Sequence, residues 1–359
     1  MSAMDSQMKF WSSSARNAVP YTPGEQPKDR KFIKLNTNEN PYGPSPRVLQ
    51  LSPQDLHMNL YPEPTAYGLR KVIAEMNSFS PEEIFVGNGS DEVLAFAFGA
   101  FGDEDHPFSF PDITYSFYPV WSDFYHVSKR IFPLGEDFSI DLTLAPEDGG
   151  PLVIANPNAP TGIALPSEVL VNYLETHSDR LMIVDEAYVD FGAESMVPYI
   201  RKFPNLLVVQ TFSKSRALAG ARLGFAFGQA QLIEAMNRIK DSFNSYTVSA
   251  FSQAAGIASY QDSDYLAETS SRIIATRKRA KAALKELGFA MTDSMANFLW
   301  VTHPEESGQF LYEALRERGI LVRHFSNPAL TEYLRITVGT DDEMDELICQ
   351  LKNIRGINQ

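Results

Sequence analysis

Residues 206–228 read LLVVQTFSKSRALAGARLGFAFG, two apolar runs joined by a short polar segment. Neither run alternates apolar with polar residues as a strand with one solvated face would, so both are predicted to be strands buried on two sides. Similar runs recur upstream: IFVG (84–87), PFSFP (107–111), LVIANP (152–157) and LMIVDEAY (181–188). Helix-like segments separate them, among them DEVLAFAFGAF (91–101) and PSEVLVNYLETH (166–177). Continuous Val/Ile/Leu strands alternating with helices imply an α/β domain, a mostly parallel sheet between helices, whose ligand sites gather outside the carboxyl ends of the strands.

After about residue 256 the texture changes. A long charged helix is predicted over TSSRIIATRKRAKAALKELG (269–288), stopped by Gly288. It is followed by strand (297–301), helix, strand (320–325), strand (333–339) and helix, the last opened by a Thr340-to-Glu343 capping box. This is a smaller α+β C-terminal domain. The expected division is an N-terminal arm at 1–30, a large domain at 31–255 and the small domain at 256–359. The arm, rich in Pro, Gly and polar residues, needs another surface to order it.

Thirty-one basic against forty-five acidic residues give a formal charge of −14. That is poor electrostatic footing for nucleic acid or an anionic membrane. An anionic ligand must instead be captured locally by arginines in a cleft, since charges are screened over ~8 Å at physiological salt. The longest mostly apolar stretch, VLAFAFGAF (93–101), is about half of the ~20 residues that a membrane span requires. The opening MSAMDSQMKFWSSSARNAVP lacks the apolar segment of a secretory signal, so a cytoplasmic location is expected. A lone Cys349 excludes an intramolecular disulfide, and the six histidines are scattered without metal-ligand spacing, so no metal is expected.

The chemistry gathers at strand ends. Ser213 and Lys214 directly follow LLVVQ and its TF extension, and Arg222 comes eight residues after the lysine. An amine in such a crevice, if desolvated, is freed as a nucleophile able to form a Schiff base with a carbonyl; the alternative is an ordinary loop lysine. Asp185 ends another buried run, with Tyr188 three positions on. An acid there either pairs with a cation such as a protonated ring nitrogen or caps the next turn. GNGSDE (87–92) joins a strand to a helix through a glycine-rich turn whose amides, at Gly89, Ser90 and Asp91, suit a phosphate. Tyr115 offers a stacking surface. Arg323 and Arg335 sit in otherwise apolar strand patterns, where a guanidinium must find a buried or ligand-borne anion unless it belongs to a surface ion pair.

Seven ordered motifs, LNTNENPYGPSP (35–46), NLYPEP (59–64), GNGSDE (87–92), NPNAPTG (156–162), VDEAY (184–188), SKSRALAGARLG (213–224) and YLRITVGT (333–340), resemble the fold-type-I pyridoxal-phosphate (PLP) aminotransferases. Within them the likeness is greatest to the histidinol-phosphate aminotransferases. The resemblance implies PLP as cofactor, Lys214 as its Schiff-base lysine, Asp185 at the ring nitrogen, Tyr188 at the ring hydroxyl and Tyr115 on the ring face. It further implies phosphate contacts from Ser90, Asp91, Thr211, Ser213 and Arg222, with Tyr61 reaching across from the second subunit of a homodimer. Arg335 would bind the substrate's α-carboxylate where one exists, with Arg323 and Tyr21 nearby for the side-chain anion, and Tyr21 too is a candidate for donation by the partner. Where the family carries Asn before Pro-Thr-Gly, this chain has Ala159, and Asn158 is the candidate substitute. The implied reaction is transamination between histidinol phosphate and 2-oxoglutarate. Aromatic amino-acid aminotransferases and threonine-phosphate decarboxylases share most of these motifs, and a non-catalytic PLP-binding regulator is the remaining alternative.

Overall fold

The computed structural model describes residues 9–28, 30–147 and 150–357. Residues 1–8 and 29 of the expected arm lie outside the described residues. The first strand is β1 (Ile33–Leu35). A seven-stranded sheet then forms from β2 (Ile84–Gly87), β3 (Phe108–Pro111), β4 (Lys129–Phe132), β5 (Leu152–Ala155), β6 (Met182–Asp185), β7 (Leu206–Thr211) and β8 (Gly224–Phe227). Its order is β2-β8-β7-β6-β5-β3-β4, and β8 alone runs against the others.

The two apolar faces of these strands fill two separate cores. Leu152, Ile154, Met182, Val184, Leu206 and Val208 point into one. Val153, Ala155, Ile183, Leu207 and Val209 point into the other, against the helix Ser90–Phe101. Period-two alternation between two buried faces explains the unbroken apolar runs Leu152–Ala155, Met182–Val184 and Leu206–Val209. Each fully buried Val, Leu or Ile contributes about 1.5–3 kcal/mol relative to exposure.

The remaining strands, β9 (Ala290–Met291), β10 (Phe298–Thr302), β11 (Ile320–His324) and β12 (Tyr333–Thr337), form a second sheet ordered β1-β11-β12-β10-β9. Its core packs Leu299, Val301, Leu334 and Ile336 against Leu347 and Leu351 of the helix Asp341–Ile354. That helix opens on the Thr340–Glu343 capping box. The long helix Ser263–Glu286 starts upstream of the stretch expected from sequence, and its Arg277 donates to the carbonyls of Phe191 (3.0 Å) and Ala296 (2.5 Å), tying the two sheets' surroundings together.

One boundary differs from the sequence expectation. Residues 33–35 were assigned to the large domain, yet β1 pairs in parallel with β11, Ile33 opposite Ile320. A three-residue strand has no hydrophobic period of its own, and only its long-range partner assigns it to the small sheet. The arm also finds its surface within its own chain. Arg323 donates to the Thr22 carbonyl (3.0 Å), Asn36 to the Glu25 carbonyl (2.9 Å), and Glu25 accepts from Tyr312 (2.7 Å) and Arg316 (3.1 Å).

Candidate active site

Parallel pairing brings the carboxyl ends of β5, β6 and β7 side by side, with Ala155 opposite Asp185 and Asp185 opposite Val209. Asp185 is the last residue of β6, and the chain leaves β7 at Thr211 to present Ser213 and Lys214. Gly224 of β8 faces both Thr211 and Gly87, so β2 delivers the N-terminus of the helix Ser90–Phe101 to the same edge. Glycine is needed there: a Cβ at Gly224 would lie 2.3 Å from the Ser90 amide nitrogen, and Gly89 adopts φ +91°.

These ends enclose a cavity of about 470 Å³. Lys214, Asp185, Tyr188, Tyr115, Thr211 and Ser213 line it, as do Ser90, Asp91, Arg222, Arg335 and Tyr21. The Lys214 amine donates to the Thr37 carbonyl (3.0 Å) and lies 5.8 Å from the centre of the Tyr188 ring. Asp185 accepts from the Tyr118 hydroxyl (2.9 Å) and the Ala187 amide (3.1 Å). Burial raises its carboxyl to about 6 despite those two donors. A cation brought against Asp185 would be held strongly.

A different set of groups suits an anion. The amides of Ser90 and Asp91, at the start of the helix, have no partner among the described residues. Arg222 lies beside them, 2.9 Å from Asp91. Asp91 also accepts from the Tyr115 hydroxyl (2.6 Å). Its carboxylate has the wrong charge for a phosphate, so its side chain braces Arg222 and Tyr115 while its amide is left free. Burial, and then the neighbouring Asp91, push the Tyr115 hydroxyl well above its ordinary value.

Arg335 is half-buried, and among the described residues its Nε has no partner and its one hydrogen bond is a long one to the Asn36 carbonyl (3.4 Å). Its guanidinium lies over the Phe298 ring at 5.3 Å, and burial lowers its pKa. Arg323 does not line this cavity; it joins Arg335, Tyr21 and Phe325 around an adjoining one of about 270 Å³.

Two expectations change. Asn158 does not enter the cavity. Its side chain accepts from Thr114 (2.9 Å) and donates to the Ile113 carbonyl (2.9 Å) and Thr161 (3.2 Å), which consumes its hydrogen-bonding capacity in shaping the loop, and Ala159 presents a methyl instead. Tyr21 enters the cavity of its own chain, stacked on Phe117 at 4.4 Å. Tyr61 lies outside the cavity of its own chain, 82% exposed and stacked on Tyr246 at 4.6 Å.

Sequence reasoning passed over Tyr118, which holds Asp185, and Thr37 and Asn38, which meet Lys214 and Tyr188. LNTNENP was noticed only as a motif. Its unusual density of short polar residues just after an apolar strand was the available signal. Among the described residues no group of three or more His, Cys, Asp or Glu could hold a metal, and no helix is long and apolar enough to cross a membrane.

A lysine amine, a buried acid and an anion cradle at the carboxyl edge of one sheet fit a phosphorylated pyridine aldehyde: amine for the carbonyl, acid for the ring nitrogen, amides and Arg222 for the phosphate. The class so defined is that of the pyridoxal-phosphate-dependent aminotransferases. The family model for aminotransferase class I and II matches residues 30–351, and the chain belongs to that family. It is 50% identical over 349 residues to a histidinol-phosphate aminotransferase of Chromohalobacter salexigens, covering 96% of this chain and 99% of that protein. It is also 50% identical over 347 residues to histidinol-phosphate aminotransferase 1 of Bradyrhizobium diazoefficiens, with 96% and 99% covered. The crystal structure of histidinol-phosphate aminotransferase from Sinorhizobium meliloti in complex with pyridoxal-5'-phosphate superposes with a TM-score of 0.82 at 26% identity, covering 92% of this chain and 93% of that one.

Proposed function

We propose that this chain transfers the amino group of histidinol phosphate to 2-oxoglutarate, giving imidazole-acetol phosphate and glutamate in histidine biosynthesis. The observation that carries the reading is Arg335, a half-buried guanidinium without a carboxylate partner among the described residues, in a cavity that already has an anion cradle at the helix N-terminus. Two anion seats suit a phosphorylated cofactor and an anionic substrate together. The 50% identity to proteins of that name over nearly the whole chain supports the choice of substrate.

In this reading the amides of Ser90 and Asp91, with Thr211, Ser213 and Arg222, hold the cofactor phosphate. Tyr61 of the neighbouring subunit completes that seat in a homodimer. Asp185 keeps the ring nitrogen protonated, Tyr188 donates to the ring hydroxyl and Tyr115 covers the ring face. When bound, the cofactor supplies an electron sink for charge developing at the substrate Cα. Lys214 holds the cofactor, and once displaced by the substrate amine it takes and returns the Cα proton. Arg335 and Arg323 bind the anionic end of the substrate, and Tyr21 closes the cavity to water. The location that suits this chemistry is the cytoplasm.

The experiment is a half-reaction panel read by the cofactor's visible absorbance. Histidinol phosphate is expected to convert the cofactor fastest. A preference for phenylalanine, or release of carbon dioxide from O-phosphothreonine, would overturn the assignment.

A further inference from the structure

We propose that Asn38 is a positioning residue that fixes the Tyr188 hydroxyl so that the tyrosine's own proton is aimed at the ring oxygen of the bound cofactor. The inference rests on the placement of Tyr188 above and adds a residue that the sequence did not single out.

Asn38 lines the cavity yet is only 1% exposed. Its Nδ2 donates to the Tyr188 hydroxyl oxygen at 3.0 Å. The other end of the amide is tied down. The Thr337 hydroxyl accepts from the Asn38 backbone amide (3.0 Å), which leaves its own proton for the Asn38 Oδ1 (3.0 Å) and turns Nδ2 toward the tyrosine. Asn297 donates to the Asn38 carbonyl at 3.0 Å. Residue 38 also takes φ +59°, a left-handed conformation that asparagine tolerates better than most residues. The site is therefore built: backbone and side chain of one residue are fixed by three hydrogen bonds with two groups, and the side-chain amide nitrogen faces one phenol.

A phenol oxygen that accepts from an amide still has one proton to give. Among the described residues nothing accepts it, and Tyr188 lines the cavity. Position 159 offers a methyl there and Asn158 is engaged elsewhere, so the loop after β5 provides no amide donor at this wall. Asn38 follows β1 and Thr337 ends β12, both in the small sheet, while Tyr188 follows β6 in the large one. The small domain thereby orients a group of the large domain, next to the carbonyl of Thr37 that receives Lys214.

A donor aimed at the ring oxygen stabilises its anion most when the neighbouring nitrogen carries no proton. Loss of the donor therefore raises the pH at which the visible absorbance of the cofactor-loaded protein changes. The test is a pH titration of that absorbance in wild type, Asn38→Ala, Tyr188→Phe and the double variant. Asn38→Ala is expected to move the midpoint up by about half a pH unit and Tyr188→Phe by at least as much, with the double variant no further than Tyr188→Phe alone. If Asn38→Ala does not fold, Thr337→Val, which frees the amide from behind, carries the same expectation with a smaller shift. An unshifted midpoint in the folded Asn38 or Thr337 variant, or a double variant whose shift is the sum of the two, would overturn the proposal. A Tyr188→Phe midpoint equal to wild type would instead fail the placement of Tyr188 and take this proposal with it.

Discussion

Arg323 and Arg335 stand directly opposite each other on β11 and β12, and neither has a carboxylate partner among the described residues. Like charges opposed on a ladder are destabilising, and partial burial of a cation that lacks a carboxylate partner adds to the cost. In the proposed reading the anionic end of the substrate relieves this repulsion when it binds. Arg335→Met should therefore raise the melting temperature of the cofactor-free protein while lowering kcat/KM for histidinol phosphate at least about 100-fold, roughly 3 kcal/mol. A variant that is less stable and fully active would show Arg335 to be structural.

Arg222 is braced by Asp91 at 2.9 Å beside the unpaired helix amides. A charge-assisted contact to phosphate contributes about 1.5–3 kcal/mol, so Arg222→Ala should weaken PLP binding about 10- to 100-fold. Asp91→Ala should weaken it too, because it frees both Arg222 and Tyr115. Equilibrium binding measured by absorbance or fluorescence reads both effects. If Asp91→Ala tightened binding, the carboxylate would be a repelling neighbour and not a brace.

Glu186 is enclosed next to Asp185, accepting from the Met196 amide (2.5 Å), Ser195 (2.7 Å) and Gln210 (2.8 Å). Burial raises its carboxyl from 4.5 to about 7 in spite of those donors. The folded chain thus holds this proton more tightly than the unfolded chain. Between about pH 4.5 and 7 the native state binds more protons, so the contribution of this group to stability falls as pH rises through that window. Two and a half units correspond to about 3 kcal/mol. Wild-type denaturant midpoints should fall as pH rises across that range, toward or below those of Glu186→Gln, which has no titrating proton at this position. Parallel curves for the two proteins would contradict the buried, proton-holding state.

The large sheet was legible because strands buried on both faces need unbroken apolar runs, and Asp185 and Lys214 were legible because charged groups end such runs. The helices that package a sheet carry no comparable signature when, like Phe117–Phe124, they are aromatic and nearly all apolar. Strand β4 escaped notice because KRIF, with Arg130 and Ile131 exposed at the sheet edge, has no buried pattern to read. Asn38 and Tyr118 became visible only through partners 150 and 67 residues away, distances across which a sequence carries no local period. Asn158 misled for the opposite reason, since adjacency in sequence says nothing about which way a loop side chain turns.

Tyr61 is exposed and stacked on Tyr246, with Met58, Leu60 and Phe243 also exposed. If a second copy covers this surface and Tyr61 meets its phosphate seat, the protein should sediment as a dimer and Tyr61→Phe should weaken PLP binding about tenfold while leaving the dimer intact. A monomer that binds the cofactor fully would rule this out.

Borohydride reduction of the PLP-loaded protein followed by peptide mass mapping tests whether Lys214 carries the cofactor. A single pyridoxyl label is expected on the peptide carrying Lys214, absent from Lys214→Ala along with the visible absorbance band. A label of equal yield on another lysine, or an unchanged band in Lys214→Ala, would contradict it.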